Sequence, residues 1–529
     1  MNNRNYNVFF HLHTVSCIVI SVGLYIIFFA GAFTLFEHAI GHWEKNEPIV
    51  EQHNTSNRPV DYDKVLASLK TAGYDLYGRN IYLTLDSEKN QGIYLSGSDD
   101  KKASEDAKKS HRLSIDTDTY QVSKQPEGYS FGRLLYLLHF YYQLDRVGYY
   151  LSGFVALFFL FATVTGVVIH WKKIVSNFYM FRPKEKWKTV WTDAHTALGT
   201  IGIPFQFMYA LTGAMFGLGI VAALSGSVLY GGSTQKVYDE VFGAHSDTLG
   251  PRTNMSSYSL NPYFDKASAR WEDYTPKYIA INRCESSTMQ FGVTGSLSST
   301  TKFLNNGEVV YDVISGRVDH EHDPYHVSYS ESIWASVYRL HFADFGEFGT
   351  LGNYLLRFLY FVLAAATGFV IISGVLIWLE ARNKKNVPEK ERRYNETVGH
   401  IYLAICLSML PITAFTFIVA KLLPESLTED RKIIFNSVYF GGWLLLSIFF
   451  AWKRNNQFTN RQTLLWSGIL GALIPLVNGI YTGNWFWKTL YLHHHDIFII
   501  DTLWLFLSLI CFYALSRTKQ PEQPQELIH

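Results

Sequence analysis

Apolar positions gather into eight runs of spanning length, near residues 14–36, 147–170, 197–221, 353–379, 398–422, 433–452, 463–481 and 497–515. A hydrocarbon core about 30 Å thick needs roughly twenty apolar residues in a helix, so each run predicts a membrane-crossing helix. Two long polar stretches, roughly 45–130 and 225–330, interrupt them. In the first, Tyr62 to Gly73 reads as a short amphipathic helix, followed by alternating strands at Asn80–Leu85, Gly92–Ser96 and His111–Ile115. The second has comparable elements at Phe264–Trp271, Lys277–Asn282, Met289–Gly292 and Val309–Asp312.

Charge orients the helices. Lys172, Lys173, Arg182, Lys184, Lys186 and Lys188 follow the second run, and Arg382, Lys384, Lys385, Lys390, Arg392 and Arg393 follow the fourth. Lys453, Arg454 and Arg461 follow the sixth, and Arg517 and Lys519 the eighth. By the positive-inside rule these loops and both termini are cytoplasmic, which puts the polar stretches outside. The expected fold is an α-helical membrane protein with eight transmembrane helices and two extracytoplasmic α+β modules. The divisions are helix 1 (1–44), module 1 (45–130), helices 2 and 3 (131–224), module 2 (225–330), helix 4 (331–385) and an appended four-helix block (395–529). Ala30-Gly31-Ala32 has the form of a signal-peptidase site, but the run around it is long enough to span, so it reads as a retained helix.

The first four runs are two copies of one pattern. His13-Thr14 is followed eighteen residues later by Gly31-Ala32, and His195-Thr196 by Gly213-Ala214 at the same spacing. Tyr136-Leu137-Leu138-His139-Phe140 matches Tyr338-Arg339-Leu340-His341-Phe342, with Thr165-Gly166 and Thr367-Gly368 the same distance beyond. Eighteen residues are five helical turns, so histidine and glycine share a face roughly 27 Å apart along the axis. Imidazole is the usual protein ligand of a b-type haem, and glycine lets a flat macrocycle press on the backbone. One haem would sit on the cytoplasmic side between His13 and His195, with Gly166 and Gly368 at its depth. A second, between His139 and His341, would lie outside beside Gly31 and Gly213. The bland alternative is that these glycines only let helices approach closely.

Other histidines compete. His170 ends the second run at the depth of the first pair and could replace one ligand there; His38 and His42 lack partners in the repeat. His400 is cytoplasmic and the His493-His494-His495-Asp496 cluster outer, so they cannot share one iron; a third haem would need partners from the duplicated half. Asp145 and Glu347 each follow an outer histidine by six residues and are candidate hydrogen-bond acceptors for it, or helix caps. Arg133, Arg146, Arg339 and Arg357 flank the outer histidines as candidate partners for haem carboxylates. His320, His322 and His326, in His320-Glu321-His322-Asp323-Pro324-Tyr325-His326, are either ligands for a metal or iron chelate or part of a solvated loop.

Composition removes several classes. With 48% hydrophobic residues and a net charge of +1, the chain is not a basic nucleic-acid binder. Its four cysteines form no CxxC pair, which argues against iron–sulfur clusters and a disulfide framework. No phosphate loop, nucleophile elbow or HExxH stands in the chain.

The order helix, outer module, helix, given twice, with His-Thr opening odd helices and Leu-His ahead of even ones, resembles the PepSY-associated transmembrane proteins over roughly residues 1–385. That family includes iron-regulated inner-membrane ferric-siderophore reductases with two b-type haems. The resemblance implies a bacterial inner-membrane protein that carries electrons outward to a ferric siderophore. No flavin or nucleotide motif is present, so the donor would be separate, a quinol or a cytoplasmic reductase. The rival readings are a PepSY-type sensor or regulatory binding protein, and a permease, both without redox chemistry.

Overall fold

The computed structural model describes residues 3–46, 48–49, 60–85, 90–124, 129–179, 182, 184–185, 187–237, 248–254, 258–297, 306–345, 349–384 and 386–518. It divides into two units, residues 1–50, 129–222 and 339–529 forming one and residues 51–128 and 223–338 the other. The principal helices, in chain order, are α1 (Asn3–Thr34), α2 (Glu37–Trp43), α3 (Tyr62–Thr71), α4 (Phe131–His139), α5 (Asp145–His170), α6 (Trp187–Gly217), α7 (Asn261–Ser268), α8 (Tyr329–Phe342), α9 (Gly349–Arg382), α10 (Glu389–Leu422), α11 (Gly442–Lys453), α12 (Asn456–Thr482) and α13 (His495–Arg517).

Among the described residues, seven helices are long and apolar enough to cross a membrane: Asn3–Thr34, Tyr142–His170, Leu351–Arg382, Glu389–Leu422, Arg431–Lys453, Asn456–Thr482 and His495–Arg517. The remaining expected span falls on α6, 31 residues long. Pro204, Gln206 and Thr212 dilute its apolar character, and Gln206 and Thr212 are buried against neighbouring helices. Elsewhere large apolar side chains face outward, as in a protein solvated by lipid: Val19 is 78% exposed and Ile480 76%.

Four of these helices close a ring: α1 packs on α5 and α9, and α6 packs on the same two, so α1 and α6 stand on opposite corners. Small residues permit the closest crossing, where a Cβ on Gly153 of α5 would stand 2.6 Å from the Gly217 carbonyl carbon of α6. The appended block is built on α10, with α11 and α12 beside it and α13 against α12. It meets the ring at the C-terminal half of α1, where Phe33 stacks on Trp504 with centroids 5.6 Å apart. A buried polar knot ties the same region together. Trp43 Nε1 donates to Asp501 at 2.8 Å, Asn478 Nδ2 donates to Asp501 at 2.9 Å, and Lys421 Nζ donates to the Trp43 and Lys45 carbonyls.

The second unit is one antiparallel sheet of eight strands in the order β4-β3-β2-β1-β5-β6-β7-β8. Its strands are β1 (Ile81–Thr84), β2 (Asn90–Leu95), β3 (His111–Asp116), β4 (Val122–Lys124), β5 (Tyr274–Asn282), β6 (Gln290–Leu297), β7 (Asn306–Asp312) and β8 (Val318–His322). The polar stretches, read from sequence as separate modules, pair edge to edge through β1 and β5, with Ile81 opposite Ile281 and Leu83 opposite Ile279. One apolar core spans both halves, because Val65 and Leu69 of α3 and Ala267 of α7 pack with Ile81, Leu83, Ile279 and Ile281. The pairing hides two edges that would otherwise be exposed. Each half also caps the other's helix: Tyr62 N–H donates to Asn261 Oδ1 at 2.9 Å, and Leu260 N–H to Asp63 Oδ1 at 2.7 Å.

Candidate functional site

His13 of α1 turns toward α5. Its Nδ1 donates to the Ala162 carbonyl at 2.9 Å, with Thr165 Oγ1 at 3.3 Å. His195 of α6 turns toward α9 in the same way, its Nδ1 2.9 Å from the Val370 carbonyl and 3.3 Å from Ser373 Oγ. Both hydroxyls donate their own proton to a helix carbonyl, of Phe161 and of Val370, which leaves their oxygens as acceptors. A glycine lies under each ring: a Cβ on Gly166 would stand 3.2 Å from His13 Cε1, and one on Gly374 3.1 Å from His195 Cε1. His170 and His13 both lie near His195.

Toward the opposite end, α4 lays His139 on α1. Nδ1 donates to the Ile27 carbonyl at 2.9 Å, and a Cβ on Gly31 would collide with the ring at 2.6 Å. His341, at the end of α8, rests on α6, where Nδ1 donates at 2.9 Å to Thr212 Oγ1, whose hydroxyl donates to the Met208 carbonyl. Gly213 is less tightly covered, with His341 Cε1 3.9 Å from the place of its Cβ. Tyr209 donates to the His341 carbonyl at 2.9 Å, and the Tyr209 and Phe216 rings pack on this imidazole, each with centroids 5.0 Å away. The rings of His139 and His341 lie with centroids 6.0 Å apart, their planes tilted by 47°.

All four imidazoles therefore spend Nδ1–H on the protein. That bond fixes the tautomer and turns Nε2, with its lone pair, away from the anchoring helix. Among the described residues, no hydrogen bond engages Nε2 of His139, His195 or His341; Cys17 Sγ lies 3.8 Å from that of His13.

The remaining candidates lie elsewhere or are otherwise engaged. Gly368 is not beside His195: its Cβ position meets the Tyr25 ring at 3.5 Å, and Gly374 takes the place under the imidazole. Asp145 opens α5, while the Nδ1 of His139 uses the Ile27 carbonyl; Glu347 lies outside the described residues. Arg133 pairs with Glu37 at 3.4 Å, Arg357 reaches the Leu35 and Ala343 carbonyls, and Arg339 is buried. His42 pairs with Asp496 at 2.7 Å, His400 with Asn456 at 2.7 Å, and the rings of His493 and His495 lie 5.7 Å apart.

The string from His320 to His326 is an edge strand and its turn rather than a loop. His322 Nδ1 is 2.6 Å from Glu331, His326 Nδ1 is 2.7 Å from Asp323, and Glu321 pairs with Arg270. Among the described residues, no group of three His, Cys, Asp or Glu side chains is arranged to hold a metal ion.

Ser373, Gly374, Thr212 and Tyr209 escaped the sequence reading. A hydroxyl followed by glycine, Thr165-Gly166 and Ser373-Gly374, is the signal that would have found the first two.

The PepSY-associated TM region family model matches residues 10–381. An uncharacterized protein of Pseudomonas aeruginosa is 21% identical over 239 residues, covering 44% of this chain, and the chain spans 59% of the length of that relative. The helix, polar segment, helix order, given twice across the matched residues, ends in the same conclusion as the model match: the chain belongs to the PepSY-associated transmembrane family.

Proposed function

We propose that this protein is an inner-membrane b-type haem oxidoreductase with two haems, which carries electrons across the bilayer and reduces a ferric siderophore on the outer side. The observation that carries the reading is the set of four histidines, each anchored through Nδ1 and seated on a neighbouring helix, at the two ends of one four-helix ring. In this reading α6 is the eighth span, the two halves are a duplication, both termini are cytoplasmic, and the sheet faces the periplasm.

The residues fit the group. The imidazoles of His139 and His341 lie with centroids 6.0 Å apart, and each would hold the iron through the Nε2 that its anchored Nδ1 leaves available. His13 and His195 would hold the inner haem, with His170 beside them, and His139 and His341 the outer one. A bound haem supplies an iron that alternates between the ferric and ferrous states and so passes single electrons. The chain holds the imidazoles in one tautomer, and Tyr209 and Phe216 pack on His341 and shield it from water. At the outer face the ferric ion is the substrate. One electron converts it to Fe(II), a softer ion that hard oxygen chelators hold less strongly, so iron is released.

Detergent-purified protein should show a reduced-minus-oxidised haem b spectrum, with two haems per chain by pyridine haemochrome. His139→Ala or His341→Ala should lower that to one. Colourless protein would leave a sensor or permease as the better reading.

A further inference from the structure

At the His13 and His195 end of the ring, a cavity of about 160 Å³ opens between the ring and the appended block. Its apolar wall is Trp191 and Leu376, and its polar wall carries Glu380, Glu396, His400 and Asn456. Trp191 lies one helical turn before His195 on α6, and Leu376 lies two residues beyond the Gly374 that seats the His195 ring. Trp191 is thus the wall that the cavity shares with the inner histidine pair, whereas Leu376, two residues from Gly374, faces the cavity from the other side of α9. His400 repeats the device of the four ring histidines: Nδ1 is 2.7 Å from Asn456 Oδ1, so that nitrogen carries the proton and Nε2 is left as a base.

We propose that this cavity is where a membrane quinol delivers its electrons, with His400 as the proton acceptor. The proposal rests on the haem reading above and names its donor. Size favours a single substituted ring over the three fused rings of a flavin, which belongs with the larger pockets of several hundred Å³. The cavity lies among the ends of helices long and apolar enough to span, so its ligand can arrive from the bilayer. Loss of two electrons and two protons turns the quinol into a quinone, two O–H bonds breaking as two C=O bonds form. One proton passes to His400 Nε2 and one to the Glu396 or Glu380 carboxylate. The electrons leave singly, past Trp191, to the inner haem, and two ferric chelates are reduced for each quinol oxidised. The appended block thereby acquires a role, since it supplies the base side of the site.

The test uses the whole purified protein and two readouts. A photoreactive azido-quinone should label peptides containing Trp191, Leu376 or His400, a result that does not depend on haem. In stopped flow, a short-chain quinol should reduce the haem of His400→Gln about a hundredfold more slowly than that of the native protein, the size of a lost general base. Dithionite should reduce the haem of both fully. Should His400→Gln not fold, Asn456→Ala, which removes the partner of His400 Nδ1, should slow quinol reduction in the same way while dithionite still reduces the haem fully, and unchanged quinol reduction in it likewise overturns the proposal. Labelling confined to other peptides, or unchanged quinol reduction in His400→Gln, overturns the proposal. Colourless protein labelled at these peptides would support the binding site while overturning the haem reading.

Discussion

A glycine in a membrane helix usually admits a neighbouring backbone, as Gly153 and Gly217 do for each other; Gly31, Gly166 and Gly374 admit an imidazole instead. The difference is testable with a single methyl group. Gly31→Ala would place Cβ 2.6 Å from His139 Nδ1, inside van der Waals contact, so the ring must leave the Ile27 carbonyl. In the proposed haem reading, haem content should fall from two to about one per chain, with the inner haem spectrum retained. Gly374→Ala should disturb the inner site, because its Cβ would stand 3.1 Å from His195 Cε1, whereas Gly368→Ala, 3.5 Å from Tyr25, should leave both haems in place. The order of those two effects separates the contacts from the spelling of the chain. Thr367-Gly368 repeats Thr165-Gly166 letter for letter at equal distance from its histidine, yet the residues that hold His195 are Ser373 and Gly374, six positions on. The histidines were legible because each recurs beside the same neighbours. The glycine was not, because the contact depends on where α9 meets α6, a matter of packing between helices that the spacing along one helix does not carry.

At the scale of elements, length and apolarity identified the spanning helices, while pairing between distant segments left no trace in either segment alone. β1 and β5 each read as a half-buried strand, and nothing in Ile81 or Ile281 says that they face each other. One shared sheet has a consequence that two separate modules would lack. Ile281→Ala deletes a fully buried side chain at the join and should cost about 3 kcal/mol. Hydrogen exchange should then rise in β1 and β2 as well as in β6, whereas independent modules would confine the change to the mutated half. The trans caps add a pH dependence. Asn261 Nδ2 donates to Asp61 at 2.9 Å, and this bond, aided by the Lys64 N–H, holds the Asp61 carboxyl below the usual carboxylate range. A depressed folded value stabilises the sheet unit above the unfolded value, near pH 3.9, and that stabilisation is lost as pH falls through the folded value. Thermal melting should therefore drop between pH 5 and pH 3 more in the native chain than in Asp61→Asn; equal drops would mean the carboxylate contributes nothing.

In the membrane unit taken whole, the buried charges of the appended block lie next to one another, since an uncompensated charge in hydrocarbon is costly. Lys421 and Asp501 meet around Trp43, each bonded to it, which binds the appended block to the chain just after α1. Asp501→Ala takes away the acceptor shared by the buried Trp43 Nε1 and Asn478 Nδ2 and should destabilise the protein by about 3 kcal/mol, read as a lower melting temperature in detergent. Haem content should be unchanged, because none of the four ring histidines touches this knot. The direction of electron flow is a property of the whole unit and has its own test. The two histidine pairs are separated along α1 by the span from His13 to Gly31, roughly 27 Å of helix, so in the proposed haem reading electrons entering at one end would pass through both sites to leave at the other. His195→Ala should leave one haem per chain, the outer one. In proteoliposomes a quinol should then no longer drive ferric-chelate reduction, the rate falling at least a hundredfold. Dithionite added at the outer face should still reduce the remaining haem, and that haem should still pass its electron to the chelate. If quinol-driven reduction survives His195→Ala, electrons do not enter at this end and the two pairs do not act in series.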